Sequence, residues 1–113
     1  SKIKTLEKKG IILIKSRLNS KKRFNLKIIL KKLFSLGIRS LLVEGGEKIT
    51  KNMLKNRLIN QFYLFESLKT LPKIKKHVIF TSNDILNRNY KVKTMISPKL
   101  VKDKITIYKR YYV

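Results

Sequence analysis

The spacing of apolar residues divides the first half of the chain into predicted strands and a helix. The run IILI at residues 11–14 follows Gly10 and is typical of a short strand covered on both faces. Asn25 is a suitable N-cap for a helix with one apolar stripe, and Gly37 supplies its left-handed stop. A second strand is predicted at residues 38–43. The stripe of the helix consists of Leu26, Ile29, Leu30, Leu33 and Phe34.

The second half of the chain continues with a helix and several short strands. Ile49, Met53, Leu54 and Leu58 have helical spacing, and the aromatic-rich QFYLF at residues 61–65 favours a strand. A further short strand is predicted at residues 77–80, followed by a turn or helix cap at residues 82–84. The tail alternates from Tyr90 through Val92, Thr94 and Ile96, and again through Ile105 and Ile107 towards Tyr112. Two such runs, separated near Pro98, predict an antiparallel pair.

The order of these elements is β-α-β-α-β followed by a β-hairpin, in a chain of 113 residues. Such an order predicts one α/β domain over residues 1–113, with parallel strands first and an antiparallel hairpin at the C-terminus. No apolar run is long enough for a membrane span, and the N-terminal SKIKTLEKKG does not resemble a signal peptide. We therefore expect a cytoplasmic protein without membrane contact.

The composition of the chain argues against disulfides, metal sites and a specific nucleic-acid partner. There is no cysteine and only one histidine, His77, so we expect neither a disulfide framework nor a metal site. The net charge is +23, but 23 of the 29 basic residues are lysine and the six arginines are scattered. We interpret this as a lysine-coated surface with nonspecific attraction for polyanions, and expect no specific nucleic-acid partner. A basic α/β nucleic-acid-binding module without catalysis remains the alternative.

The stretch LLVEGGEKIT, residues 41–50, places two of the four glycines where a strand meets a helix. Glycine lets the backbone turn sharply and lets a ligand approach it, and the first turn of a helix has free N–H groups. Such a corner can bind a phosphate or diphosphate. A tight turn without a ligand explains the spacing equally well.

The longer stretch LGIRSLLVEGGEKITKNMLKNRLINQFYLF, residues 36–65, resembles the reductase domain of the bifunctional riboflavin-biosynthesis deaminase/reductase family. The matching pieces are Gly37-Ile38, Val43-Glu44-Gly45-Gly46 and Met53-Leu54, and the closing VKDKI at residues 101–105 is similar to the family's last hairpin. The resemblance implies a three-layer dihydrofolate-reductase-like mixed sheet flanked by helices. It also implies NADPH-dependent reduction of a ribosylamino-pyrimidine 5′-phosphate, whose ribose becomes a ribityl chain.

The resemblance assigns roles to residues at the start of the second predicted helix. Glu44 matches the family's substrate-contacting glutamate, and no protein side chain is implied as a catalytic nucleophile because the nicotinamide carries the hydride. The implied contacts to the NADPH diphosphate are Gly45, Gly46, Glu47, Lys48, Ile49 and Thr50. By analogy with the fold, the Gly45–Gly46 peptide is expected to be cis.

Some positions depart from the family. Glu47 adds a negative charge where a diphosphate would lie, with Lys48 and Lys51 available to offset it. The family's domain is about twice as long, so the resemblance implies that this chain is its second half, inert by itself. A homodimer is implied as well. We interpret His77 as structural or exposed, and Phe62, Tyr63 and Phe65 as core and cross-strand packing residues.

Overall fold

The computed structural model describes residues 1–70, 72, 79–97 and 102–110, which contain four helices and three strands. The chain has mixed α/β structure, as predicted. It divides into two compact units, residues 1–42 and residues 43–113. The helices are α1 (Lys2–Lys8), α2 (Leu26–Ser35), α3 (Glu47–Lys55) and α4 (Asn83–Asn89). The strands are β1 (Gln61–Glu66), β2 (Val92–Ile96) and β3 (Lys104–Lys109).

Helix α2 of the first unit begins and ends where the sequence predicts. The side-chain oxygen of Asn25 accepts a hydrogen bond from the Ile28 N–H at 3.3 Å, which satisfies one donor of the first turn. Gly37 follows the helix with φ +87, and its N–H donates to the Phe34 carbonyl at 3.0 Å. A side chain is strained in this conformation, which explains the glycine.

Two further helices were not expected from the hydrophobic pattern. Helix α1 contains only Ile3 and Leu6 as apolar residues, too few to define a stripe. Helix α4 spans Asn83–Asn89, where the sequence indicated only a turn or a cap. Short helices carry little periodic signal because two turns contain only a few core-facing positions.

The strands predicted at residues 11–14 and 38–43 are not formed among the described residues. Both segments are irregular and belong to no strand pair. Their apolar side chains are largely exposed, with Ile12 at 73% and Leu42 at 81%, and the unit of residues 1–42 contains no buried residue. A strand forms only when a neighbouring strand satisfies its backbone, and this part of the chain contains no such neighbour.

The segment at residues 77–80 also differs from its predicted strand. His77 and Val78 lie outside the described residues, so the interpretation of His77 stays a prediction. Ile79 and Phe80 are described and belong to no strand.

The second unit contains a three-stranded antiparallel sheet with strand order β1-β3-β2. Phe62 pairs with Tyr108 and Leu64 with Thr106 between β1 and β3. Strand β2 lies on the other side of β3, with Thr94 opposite Ile107. The antiparallel pairing of the two tail strands confirms that part of the prediction.

Helices α3 and α4 cover one face of this sheet and enclose the core. The Tyr90 hydroxyl donates to the Ile59 carbonyl at 2.9 Å, and burial raises the pKa of Tyr90. Tyr90 therefore ends α4 as a core residue rather than beginning a strand. The fully packed cluster is Leu54, Leu86, Tyr90 and Tyr108, flanked by Ile59, Phe62, Leu64, Phe80 and Ile85. Across the described ranges, no helix is both long and apolar enough to cross a bilayer.

Candidate functional site

The predicted cofactor-binding residues lie together at the beginning of α3. Glu44 and Gly45 precede the helix, Gly46 is its N-cap, and Glu47 is its first residue. Gly46 has an extended backbone, with φ −69 and ψ 173, so the chain turns directly into the helix. The Gly45–Gly46 peptide is trans, and the expected cis bond is wrong. The extended backbone of Gly46 enters the helix through a trans bond, so nothing in this turn compensates the cost of about 3 kcal/mol that a cis bond between non-proline residues has.

The two glycines have different surroundings. A Cβ atom on Gly45 would overlap the Cγ2 methyl of Ile49 and lie 3.3 Å from the Ile49 Cβ. A Cβ atom on Gly46 would meet nothing within 4 Å. Gly45 is thus required by the packing of Ile49, whereas the space beside Gly46 is open.

The first turn of α3 presents free backbone donors. The N–H of Thr50 donates to the Gly46 carbonyl at 3.2 Å, and the Thr50 hydroxyl donates to the Gly45 carbonyl at 3.3 Å. The N–H groups of residues 47–49 have no acceptor among the described residues. These donors, with the positive end of the helix dipole, favour a negatively charged group at this end of α3.

The Glu47 side chain holds α3 to the segment that opens α4. Its Oε1 accepts hydrogen bonds from the Thr81 hydroxyl at 2.8 Å, the Thr81 N–H at 3.3 Å and the Ser82 hydroxyl at 3.3 Å. Ser82 is fully buried and is the N-cap residue of α4. The second carboxylate oxygen of Glu47, Oε2, is buried without a hydrogen-bond partner in the described part of the chain. Glu47 therefore connects the first turn of α3 to the residues that precede α4. The sequence did not suggest this role.

The charge of Glu47 is stabilised by these neighbours. The hydrogen bond from the Thr81 hydroxyl lowers the pKa of Glu47 below its ordinary value, and the Thr81 N–H, Ser82 and the nearby Lys51 act in the same direction. Lys51 itself donates to the Thr81 hydroxyl oxygen at 3.1 Å. The carboxylate is thus ionised and engaged at physiological pH.

Glu44 and Lys48 differ from Glu47 in being exposed. Neither side chain has a hydrogen bond or ion pair to any described residue. The Glu44 carboxylate and the Lys48 ammonium are therefore not engaged by any described residue and are available to a ligand.

Sequence reasoning missed Thr81 and Ser82. They lie 34 and 35 residues from Glu47, and no local pattern connects them with it. Ser82 was expected only as part of a turn or cap, because that is what a Ser-Asn-Asp sequence signals locally.

Within the described residues, no group of three or more His, Asp or Glu side chains is arranged to hold a metal ion. No known protein family matches the chain, and a search of curated proteins gives no match either.

Proposed function

We propose that the chain is the cofactor-binding half of an NADPH-dependent pyrimidine-nucleotide reductase with a dihydrofolate-reductase-like fold. One observation carries this proposal: the beginning of α3 has free backbone N–H groups at residues 47–49, and there is open space beside its N-cap Gly46. The proposal also rests on the resemblance of residues 36–65 to the riboflavin-biosynthesis reductase domain.

The diphosphate of the cofactor would bind at the N-terminus of α3. The N–H groups of residues 47–49 supply donors, and the exposed Lys48 adds a positive charge to the same turn. Glu47 is the unfavourable charge in this turn. Its Oε1 accepts hydrogen bonds from Thr81 and Ser82, and the positive charge of Lys51 partly compensates its negative charge.

The substrate would bind at Glu44. A carboxylate accepts hydrogen bonds from ribose hydroxyls, and its charge stabilises a developing iminium cation at the sugar. When bound, the nicotinamide supplies the hydride, so the chain's own task is to orient the ribose and hold charge beside it. No side chain of this chain is proposed as a nucleophile.

The exposed apolar segments support the idea of an incomplete sheet. Residues 11–14 and 38–43 are irregular and expose apolar side chains of the kind that buried strands contain, and one edge of β1 has no partner in the described residues. We propose that the remaining strands of the domain pair with these segments, which then become the parallel strands of the fold. The chain alone would be catalytically inert, and the complete reductase would be a cytoplasmic homodimer.

Thermal unfolding in the presence of cofactor tests this function. NADPH at about 100 times its dissociation constant is expected to add about 2.7 kcal/mol to the free energy of unfolding of the complete reductase, with little effect from NADH. Lys48→Gln is expected to reduce the NADPH effect, because Lys48 lies in the phosphate-binding turn.

Lys55→Gln is the matched control, since Lys55 is an exposed lysine at the opposite end of α3. An absence of stabilisation at millimolar NADPH, or an equal loss in both variants, would contradict the proposed site.

A further inference from the structure

The sheet of the second unit has one face that α3 and α4 leave uncovered. Side chains alternate between the faces of a strand, and the strand register places residues of all three strands on this second face. We name it the open sheet face. Its apolar members are Tyr63 and Phe65 of β1, Ile105 and Ile107 of β3, and Val92 and Ile96 of β2. Ile107, on the central strand, is buried, whereas Tyr63, Phe65 and Ile96 on the outer strands are exposed.

Two aromatic rings of β1 project from the open sheet face. Tyr63 is 49% exposed and Phe65 is 68% exposed, although both were expected to be packing residues. Phe62 does pack, with its ring stacked on Phe80 at a centroid distance of 6.0 Å on the helix-covered face. Tyr63 and Phe65 are two residues apart and therefore about 6.6 Å apart along the strand. The two rings form a short row of exposed aromatic surface.

One basic side chain of the strands lies on the same face as this row. Lys109 is on the open sheet face, in register with Gln61 and Val92. The register places no acidic strand residue on this face, because Glu66 and its partner Lys104 lie on the helix-covered face, 3.7 Å apart. Within a chain of net charge +23, Lys109 favours an anionic ligand beside the two rings.

We propose that the open sheet face binds single-stranded nucleic acid in a sequence-tolerant way. Successive bases would stack on Tyr63 and Phe65, and Lys109 would contact the phosphates. A duplex cannot use this row, because its bases are already stacked inside the helix. A second copy of the chain fits this face less well, because its own open sheet face has no acidic strand residue to pair with Lys109.

Fluorescence anisotropy with a labelled oligothymidylate and a duplex of equal length tests the proposal at physiological salt. We expect tighter binding of the single strand, and a loss of about fivefold or more for Phe65→Leu and for Tyr63→Leu. The salt dependence should not change in these variants, because the phosphate contacts remain. Phe24→Leu is the matched control, since Phe24 is 53% exposed but lies in the other unit, and its affinity should equal that of the unsubstituted chain.

Equal affinity for duplex and single strand, unaffected by either aromatic substitution, would overturn the proposal in favour of simple charge attraction. A dimer in sedimentation experiments that Phe65→Leu dissociates would also overturn it, because the face would then be a self-association surface. Both substitutions keep an apolar side chain at an exposed position, and circular dichroism verifies that each variant is folded. If Phe65→Leu is not folded, the single-strand affinity of Tyr63→Leu alone tests the proposal.

Discussion

Gly45 and Gly46 are adjacent, but packing requires only the first to be glycine. The Ile49 side chain occupies the place where a Cβ atom of Gly45 would lie, whereas Gly46 faces open space. The sequence identified the pair as a site of close approach to the backbone. It could not show that the approaching group at Gly45 is a side chain of the same helix, because this contact depends on how the turn enters α3.

Gly45→Ala is therefore expected to destabilise the chain by about 1–3 kcal/mol, the usual effect of adding a methyl group to a filled space. Ile49→Ala in the same molecule should restore most of the loss, because it removes the overlapping methyl group. Gly46→Ser is the control with little effect, since serine is also a good N-cap and its Cβ meets no atom. Chemical denaturation of the four proteins measures these differences, and a Gly45→Ala variant of unchanged stability would contradict the contact.

At the scale of elements, local signals predicted α2, α3 and the antiparallel tail strands, but missed the short helices α1 and α4 and failed where a partner strand decides the structure. The caps of α2 and the apolar spacing of α3 act within one element, so they could be read from the sequence. The apolar runs at residues 11–14 and 38–43 have strand composition, yet a strand exists only with a neighbour. The contact of Glu47 with Thr81 and Ser82 was equally invisible, because it joins residues that are distant in sequence.

The contact between α3 and the start of α4 is expected to depend on the ionisation of Glu47. The pKa of Glu47 is lowered in the folded chain from its ordinary value of 4.5, so its stabilising effect is present above pH 4.5 and is lost as pH falls through the lower folded value. Glu47→Gln should lower the free energy of unfolding at pH 7 by about 1 kcal/mol, because a charge-assisted hydrogen bond becomes a neutral one.

Denaturation between pH 7 and pH 3 measures this effect, and the difference between the two proteins should shrink as the pH falls. Glu44→Gln is the matched control, because Glu44 is exposed and has no hydrogen bond among the described residues, and its stability at pH 7 should not change. If Glu47→Gln behaved like Glu44→Gln, the contact would not stabilise the fold.

At the scale of the whole molecule, much of the apolar surface is uncovered. The unit of residues 1–42 has no buried residue, while the unit of residues 43–113 has a core between its sheet and two helices. The sequence predicted the mixed α/β character correctly, although the observed order α-α-α-β-α-β-β differs from the predicted one and the described sheet is antiparallel. It could not show that the apolar segments at residues 11–14 and 38–43 belong to no strand pair, because pairing depends on contacts between residues that are distant in sequence.

The central claim is that the start of α3 binds the diphosphate of a nucleotide cofactor. A titration of NADPH into the isotopically labelled chain, followed by amide nuclear magnetic resonance at physiological salt, tests it most directly. The amide signals of residues 46–49 are expected to shift together with a single dissociation constant, and inorganic diphosphate should move the same signals. Shifts spread over the lysine-rich surface, with the amides of residues 46–49 unmoved at millimolar NADPH, would contradict the claim.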